Sequence, residues 1–483
     1  MGIYIIIIII AYFGLLLLIS HLTSKKSDND TFFLGNRQSP WYIVSIGMIG
    51  ASISGVTFVS VPGIVGKIDM TYMQMVLGFI PGYLFVAYVL LPLYYKLNLT
   101  TIYGYLDQRF GKYSYKTGAS FFILSRIVGS ASKLYLVALI LQALVFDQWN
   151  IPFYITVSSI ILLIWFYTYR SGIKTIVWTD ALQTCCLLIA VILIIYQVSS
   201  SLGMNLPQTV NAIATNEHSR IFVFDDWASK HNFFKQFFSG ILIVIAMTGL
   251  DQDMMQKNLT CPNLKDAQKN MISYGIAFTP LNLLFLGLGV LLLIFASTNG
   301  IVLPQNTDEI LPYLVTEYLG LPVLICFTIG IIASSFSNTD SALASLTTSV
   351  CVDILNVETK GIKKAQKIRK KVHFSMSLLF LLVILLINHI GQNNILDTIY
   401  KAASYTYGPL LGLFFLGLFS KQKPKDKLVP LICVLAPILS FIIEYALKRL
   451  YEYSVGYEIL LLNALITLLG LWIISRNISK DHK

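Results

Sequence analysis

Residues 41–63 read WYIVSIGMIGASISGVTFVSVPG, an apolar segment long enough to cross a bilayer. Small residues gather at its centre, where GASISG at 50–55 replaces large aliphatic side chains. A second segment, IVIAMTGLDQDMMQ at 243–256, has a similar interruption at Thr248-Gly249. Close helix packing through small residues explains either segment alone. Paired interruptions in corresponding helices instead predict a transporter built from inverted repeats.

The composition indicates a membrane protein along the whole chain. Of the 483 residues, 56% are hydrophobic and only 12% are charged, whereas a soluble domain has about 25% charged residues. Apolar runs long enough to cross a bilayer as a helix recur from one end to the other. We therefore predict an all-α polytopic membrane protein with about thirteen transmembrane helices.

The sequence contains no pattern typical of catalysis or of an organic cofactor. The six cysteines and six histidines are scattered, without metal-ligand spacing and without an HExxH motif. No glycine-rich phosphate loop is present either. We expect a protein that is not an enzyme, that has no catalytic residues and that uses no organic cofactor.

Lysine and arginine concentrate in one alternate set of loops, which is the pattern of cytoplasmic loops. This bias accounts for most of the net charge of +11. It predicts an external N-terminus and a cytoplasmic C-terminus in the plasma (inner) membrane. Because the basic residues are divided among short loops, we expect the lipid bilayer and no nucleic acid as a partner. The basic loops hold Lys25, Lys26 and Arg37; Arg109, Lys112 and Lys116; Lys257 and Lys265; 360–371; and 421–427.

The predicted ninth helix is unusually polar for a membrane segment at 331–345, IIASSFSNTDSALAS. An interrupted helix frees backbone carbonyls, which are tolerated at membrane depth only where something satisfies them. Sodium is a hard cation that prefers several oxygen ligands. The side-chain oxygens of 334–341, together with carbonyls of the interrupted second helix, therefore predict a sodium site between these two helices.

Several motifs, in this order and spacing, resemble the sodium/solute symporter family. The resemblance implies sodium-driven symport of a small polar solute into the cell by alternating access, with one or two sodium ions. It also implies a LeuT-type core of two inverted five-helix repeats, with one extra helix before it and two after it. We expect the divisions to be 1–40, 41–232, 233–426 and 427–483, in a protein that functions as a monomer. The motifs are FFLGNRQSPWY (32–42), GASISGVTFVSVPG (50–63), TIYGYLDQRFG (101–111), GIKTIVWTDALQ (172–183), DQDMMQKNL (251–259), ILPYLVTEYLG (310–320), the serine-rich ninth helix and YGPLLGLFFLGLF (407–419).

The resemblance places one sodium between the second and ninth helices. It implies backbone carbonyl ligands at Gly50, Ile53 and Ser334, and side-chain ligands at Ser337 and Asn338. A register one turn earlier, with the doublet Ser334-Ser335 as the side-chain pair, is the alternative. Asn338 departs from the family's serine or threonine, although an amide oxygen can also bind sodium.

Some members of the family bind a second sodium, and the matching positions here are Asp180, Asp340 and Ser341. An aspartate at a helix centre is costly in a membrane, and a cation between two carboxylates removes that cost. Two alternatives stay open. Asp180 forms an ion pair with a nearby basic residue such as Lys174, or Asp340 is a hydrogen-bonded packing residue.

The candidate solute site follows from a comparison with the sialic acid transporters of the family. Their three hydroxyls after the break match Ser52, Ser54 and Thr57, but their arginine is matched by Gly129, with Arg126 and Lys133 one turn to either side. Gln74 lies two residues from the family's glutamine position. Arg126 or Lys133 binds an anionic solute, or these side chains pair with carboxylates or extend toward the interface. We expect the solute to be a sugar, sialic acid or another organic acid. A proton-coupled carrier and a transporter-like sensor are the alternative functions.

Overall fold

The computed structural model describes residues 2–23, 29–169, 172–227, 229–390, 395–453 and 455–476, so Lys25 and Lys26 lie outside the described residues. Eight of the described helices are long and apolar enough to cross a membrane, or nine if one bent pair counts as a single span. Four shorter apolar helices accompany them. The all-α architecture is confirmed, and the count of thirteen stays a prediction.

The helix bounds follow the apolar runs of the sequence. Single-turn π-helical segments at Val86–Leu90, Gln142–Phe146, Ile245–Gly249 and Val350–Ile354 extend four of the helices. Two short antiparallel strands, β1 (Lys423–Pro424) and β2 (Ser475–Arg476), pair on the surface. The α-helices are α1 (Gly2–Thr23), α2 (Asn29–Leu34), α3 (Trp41–Ser52), α4 (Gly55–Ile68), α5 (Tyr72–Phe85), α6 (Leu91–Lys96), α7 (Gly104–Arg109), α8 (Lys112–Leu141), α9 (Phe153–Thr168), α10 (Gly172–Ser201), α11 (Leu206–Thr215), α12 (Phe233–Val244), α13 (Gln252–Asn258), α14 (Leu264–Thr298), α15 (Ile310–Glu317), α16 (Gly320–Ser349), α17 (Ile362–Ile390), α18 (Ile395–Phe419), α19 (Val429–Tyr451) and α20 (Ile459–Ile473).

The second membrane helix is broken where the sequence places small residues. Helix α3 ends at Ser52 and α4 begins at Gly55, while Ser54 between them has an extended backbone, with φ −78° and ψ 169°. A Cβ atom at Gly55 would overlap the Ser335 hydroxyl and a Val137 methyl group. Glycine is therefore needed here because α8 and α16 approach the backbone directly after the break.

A second break separates α12 from α13. The two parts are bent by 68°, and the non-helical residues are Leu250 and Asp251, with ψ values of 12° and 121°. This break lies two residues beyond the predicted Thr248-Gly249. The carboxylate of Asp251 caps α13, since its Oδ1 accepts hydrogen bonds from the backbone N–H groups of Asp253 (2.8 Å) and Met254 (3.2 Å).

The serine-rich ninth helix, α16, lies at the centre of the molecule. It packs against α3, α4, α8 and α10, and every residue from 330 to 349 is buried. Some of its buried hydroxyl groups donate a hydrogen bond to a backbone carbonyl of the same helix, as Thr339 does to Ser335 at 2.9 Å. The polar residues that do not bond in this way are the candidates for binding a ligand.

Helices α5 and α12 make an unusually close contact through glycine. A Cβ atom at Gly78 would overlap the backbone carbonyl of Phe237, and backbone cannot move aside as a flexible side chain can. We expect Gly78→Ala to lower the yield of monodisperse purified protein severalfold and to lower its unfolding temperature, because overpacking costs about 1–3 kcal/mol or more. Gly129→Ala is the matched control. Nothing lies within 4 Å of the added methyl group there, so equal losses in both variants would contradict the prediction.

Candidate ion and solute sites

The break after α3 faces the polar centre of α16. The side-chain amide of Asn338 donates from Nδ2 to the backbone carbonyl of Ala51 at 2.8 Å. Its Oδ1 atom is buried and has no hydrogen-bond partner, and the Ser335 hydroxyl beside Gly55 is also buried and unpaired. Buried acceptors without a partner are rare in folded proteins. The oxygen atoms of Asn338 and Ser335 at this contact are therefore available to bind a ligand.

The predicted sodium ligands lie on the two elements that meet at this contact. Ser337 donates its hydroxyl proton to Asp180 Oδ1 at 2.6 Å, which leaves the oxygen's lone pairs for another partner. Ile53 lies in the break itself, and Gly50 lies one turn before it, against Thr184 of α10. Ser334 uses its hydroxyl within its own helix, donating to the Ile331 carbonyl at 3.0 Å. Like Ser337, Ser334 keeps its lone pairs when it donates, so both hydroxyls of the alternative doublet, Ser334 and the unpaired Ser335, remain able to bind a cation.

Asp180 has a basic partner that sequence reasoning missed. Nζ of Lys257 lies 2.7 Å from Asp180 Oδ2, and the Lys257 side chain is only 1% exposed. The expectation that Lys257 belongs to a cytoplasmic loop is therefore wrong, because α13 carries this lysine into the core. Of the alternatives for Asp180, the ion pair is present, with Lys257 in place of Lys174. The Ser341 hydroxyl adds a hydrogen bond to Asp180 Oδ2 at 3.2 Å.

Asp340 lies in the same buried cluster. It accepts hydrogen bonds from the Tyr167 hydroxyl at 2.8 Å and from the backbone N–H of Ser341 at 2.6 Å. Among the described residues, no basic side chain forms an ion pair with it. The structure thus brings Asp180, Asp340 and Ser341 together, as predicted, but adds an ammonium group to them. The second sodium stays a prediction.

A cavity of about 100 Å³ lies between the two breaks. Four of the five predicted solute-binding residues line it: Ser52, Ser54, Thr57 and Arg126. Thr248, from the π-helical segment that follows α12, contributes another hydroxyl. The Ser52 hydroxyl is 2.5 Å from that of Tyr274 on the wall. The two interruptions seen in the sequence therefore meet at one polar cavity.

Arg126 forms ion pairs with two carboxylates at the second break. Its guanidinium forms a hydrogen-bonded ion pair with Asp253 and a further ion pair with Asp251 at 3.6 Å. Tyr407 donates its hydroxyl proton to Asp251. The DQD triplet at 251–253 is visible in the sequence next to the interrupted helix, but the sequence does not show that it faces α8. Of the alternatives for Arg126, pairing with carboxylates is the one observed.

Gln74 lies away from the cavity. Its side-chain amide donates to the backbone carbonyls of Thr71 (3.2 Å) and His231 (2.9 Å), and its oxygen accepts from the N–H of Val223 at 3.0 Å. The nitrogen of this buried side chain therefore bonds the turn before α5 and the outer loop, and its oxygen bonds the outer loop. The geometry assigns Gln74 to holding that loop in place, not to the cavity wall, which it does not line.

Solved structures of transporters have the same fold. A Na⁺-coupled sialic acid symporter in a substrate-bound outward-open state aligns with a TM-score of 0.83 at 20% identity, covering 98% of this chain and 99% of that one. A nucleobase-cation-symport-1 family transporter in a closed conformation aligns with a TM-score of 0.54 at 14% identity, covering 92% and 94%. Both have the LeuT-type fold, so the predicted fold type is confirmed.

Sequence comparisons agree over most of the length. The chain is 24% identical over 428 residues to the sodium/sialic acid symporter NanT of Aliivibrio fischeri, covering 86% of this chain and 83% of that protein. It is 24% identical over 422 residues to the sodium-coupled monocarboxylate transporter 2 of Homo sapiens, covering 82% and 64%. The model of the sodium:solute symporter family matches residues 32–425. The chain belongs to the sodium:solute symporter family of membrane transporters.

Proposed function

We propose that this protein is a symporter that uses sodium entry to carry a small polar solute into the cell. One sodium binds between the second and ninth membrane helices, to carbonyls of Gly50, Ile53 and Ser334 and to the side chains of Ser337 and Asn338. The observation that carries the proposal is Asn338, whose Oδ1 is buried without a partner while its Nδ2 bonds the carbonyl of Ala51 at the break.

Coupling follows from the position of the two sites on the same broken helix. Ala51 lines the solute cavity and also accepts the hydrogen bond of Asn338. A cation that draws α16 and the break together therefore changes the cavity wall directly. A sodium ion moving inward through about 100 mV gains about 2.3 kcal/mol, and a tenfold concentration gradient adds about 1.4 kcal/mol. This free energy drives accumulation of the solute by alternating access.

The remaining features of the proposal concern the membrane. The protein lies in the plasma (inner) membrane with thirteen helices, an external N-terminus and a cytoplasmic C-terminus, and functions as a monomer. The basic residues of the loops support this orientation. Bacterial relatives that transport sialic acid with sodium support the membrane assignment.

Sodium binding can be tested before the solute is known. We expect the unfolding temperature of the purified protein in detergent to rise with sodium chloride and not with choline chloride, at fixed pH and ionic strength, because a ligand of the folded state stabilises it. Equal unfolding temperatures in the two salts would contradict the proposal. Stabilisation by acidification in the absence of sodium would favour the proton-coupled carrier.

A further inference from the structure

Two basic side chains line the solute cavity, and both come from α8. Arg126 and Lys133 are seven residues apart, two helical turns, and therefore project from the same face of the helix. The guanidinium of Arg126 is already paired, since Asp251 and Asp253 both form ion pairs with it. Its positive charge is balanced within the protein and is not free for an anionic solute.

Lys133 is in a different situation. No described residue forms an ion pair or a hydrogen bond with its ammonium group. The charged groups around it are Arg126, Asp251 and Asp253. Both carboxylates contact Arg126, so the four groups together carry no net charge, but Lys133 touches neither carboxylate. The Lys133 side chain is half-buried, and an ammonium that is partly removed from water without a direct counter-ion is destabilised. An anion bound in the cavity would supply the missing partner.

The other polar groups of the cavity suit the same anion. Ser54, Thr57 and Thr248 line the same cavity as Lys133 and carry hydroxyl groups. Hydroxyl donors together with an ammonium are a good environment for carboxylate oxygens. The volume limits the size of the solute. A cavity of about 150 Å³ holds benzene. The solute cavity, at about 100 Å³, is smaller and therefore suits a compact molecule. Sialic acid and hexose sugars are much larger.

We propose that Lys133 binds the carboxylate of the solute and that the solute is a short-chain monocarboxylate. The inference rests on the proposed symport function and adds its substrate class. Sodium at the break and a carboxylate in the adjacent cavity balance each other's charge, so the loaded protein has the same net internal charge as the empty one. Lys133 is thereby a specificity-determining residue, which separates organic acids from neutral molecules of the same shape.

The test compares acids with their amides, which have nearly the same size but no charge. With the unmodified protein in sodium chloride, we expect L-lactate and acetate to raise the unfolding temperature and lactamide and acetamide to leave it unchanged. In Lys133→Met, the lactate concentration that gives half the shift should rise at least tenfold. Lys133→Arg should retain part of the response, and Lys112→Met, at the exposed start of the same helix, should respond like the unmodified protein.

Each outcome decides a separate point. The inference would be overturned by equal stabilisation by the acids and their amides, by no stabilisation by either acid, or by an unaltered lactate response in Lys133→Met. In each of these cases, stabilisation by sodium would still support symport. Absence of sodium stabilisation in the unmodified protein would overturn the proposed function itself. The acid and amide comparison needs no variant, so it remains decisive if Lys133→Met does not fold.

Discussion

Ser337→Ala is expected to raise the sodium concentration for half-maximal thermal stabilisation at least tenfold. The variant removes one of the two side-chain ligands proposed for sodium and also the hydroxyl that donates to Asp180 at 2.6 Å. A tenfold loss of affinity corresponds to about 1.4 kcal/mol, which is in the range of one hydrogen bond or ligand contact to a charged group. Sodium titration of the unfolding temperature at fixed ionic strength measures the change.

Thr339→Val is the matched control for this variant. Thr339 is buried on the same helix, and its hydroxyl bonds only its own backbone, at Ser335. The substitution keeps the shape of the side chain and should leave sodium affinity unchanged. If Ser335→Ala lowers the affinity and Ser337→Ala does not, the side-chain pair on the ninth helix is the alternative doublet Ser334-Ser335, and the register favoured from the sequence is wrong by one turn.

Asp180→Asn is expected to destabilise the protein more than any other single change at the ion site. The substitution leaves the Lys257 ammonium, 1% exposed and paired at 2.7 Å in the unmodified protein, without its counter-ion. Breaking one side of a buried ion pair costs about 3–5 kcal/mol. We expect little folded protein in Asp180→Asn, measured as the monodisperse fraction after solubilisation and as the unfolding temperature.

The double variant Asp180→Asn with Lys257→Met separates the two roles of Asp180. Removing both charges should restore most of the folded fraction, because replacing a whole buried pair is often close to neutral. If Asp180 only balances Lys257, sodium titration of the double variant will match that of the unmodified protein. A sodium response that is weaker or less steep shows that Asp180 also contributes to cation binding, as a second sodium requires. A double variant as unstable as Asp180→Asn would contradict the ion-pair account.

The sequence predicted the positions of the breaks because their cause is local. The small residues at 50–55 remove the large side chains that a membrane helix packs with, and α3 ends within that stretch, at Ser52. At the second break, the glycine at 249 marks the region, but the chain leaves the helix at Leu250 and Asp251. The carboxylate of Asp251 caps the next helix, and this shifts the break by two residues.

The candidate site was predicted in part. The face of α16 toward the break could be expected from its polar residues, and Asn338 does contact Ala51 there. The cavity residues of α4 and α8 likewise follow from their place beside the breaks. Gln74 could not be placed, because its partners belong to an outer loop whose path depends on the packing of other segments.

The sequence by itself determined that this chain is a helical membrane transporter with two broken helices and an oxygen-rich third. These properties depend on composition and on residues that are close together in the chain. Only the tertiary structure decided how the buried charges are paired: Lys257 with Asp180, and Arg126 with Asp251 and Asp253, while Lys133 forms no ion pair with the described residues. The partner of a buried charge depends on which helices lie side by side, because electrostatic attraction in a low-dielectric interior acts between neighbours in space, not between neighbours in sequence.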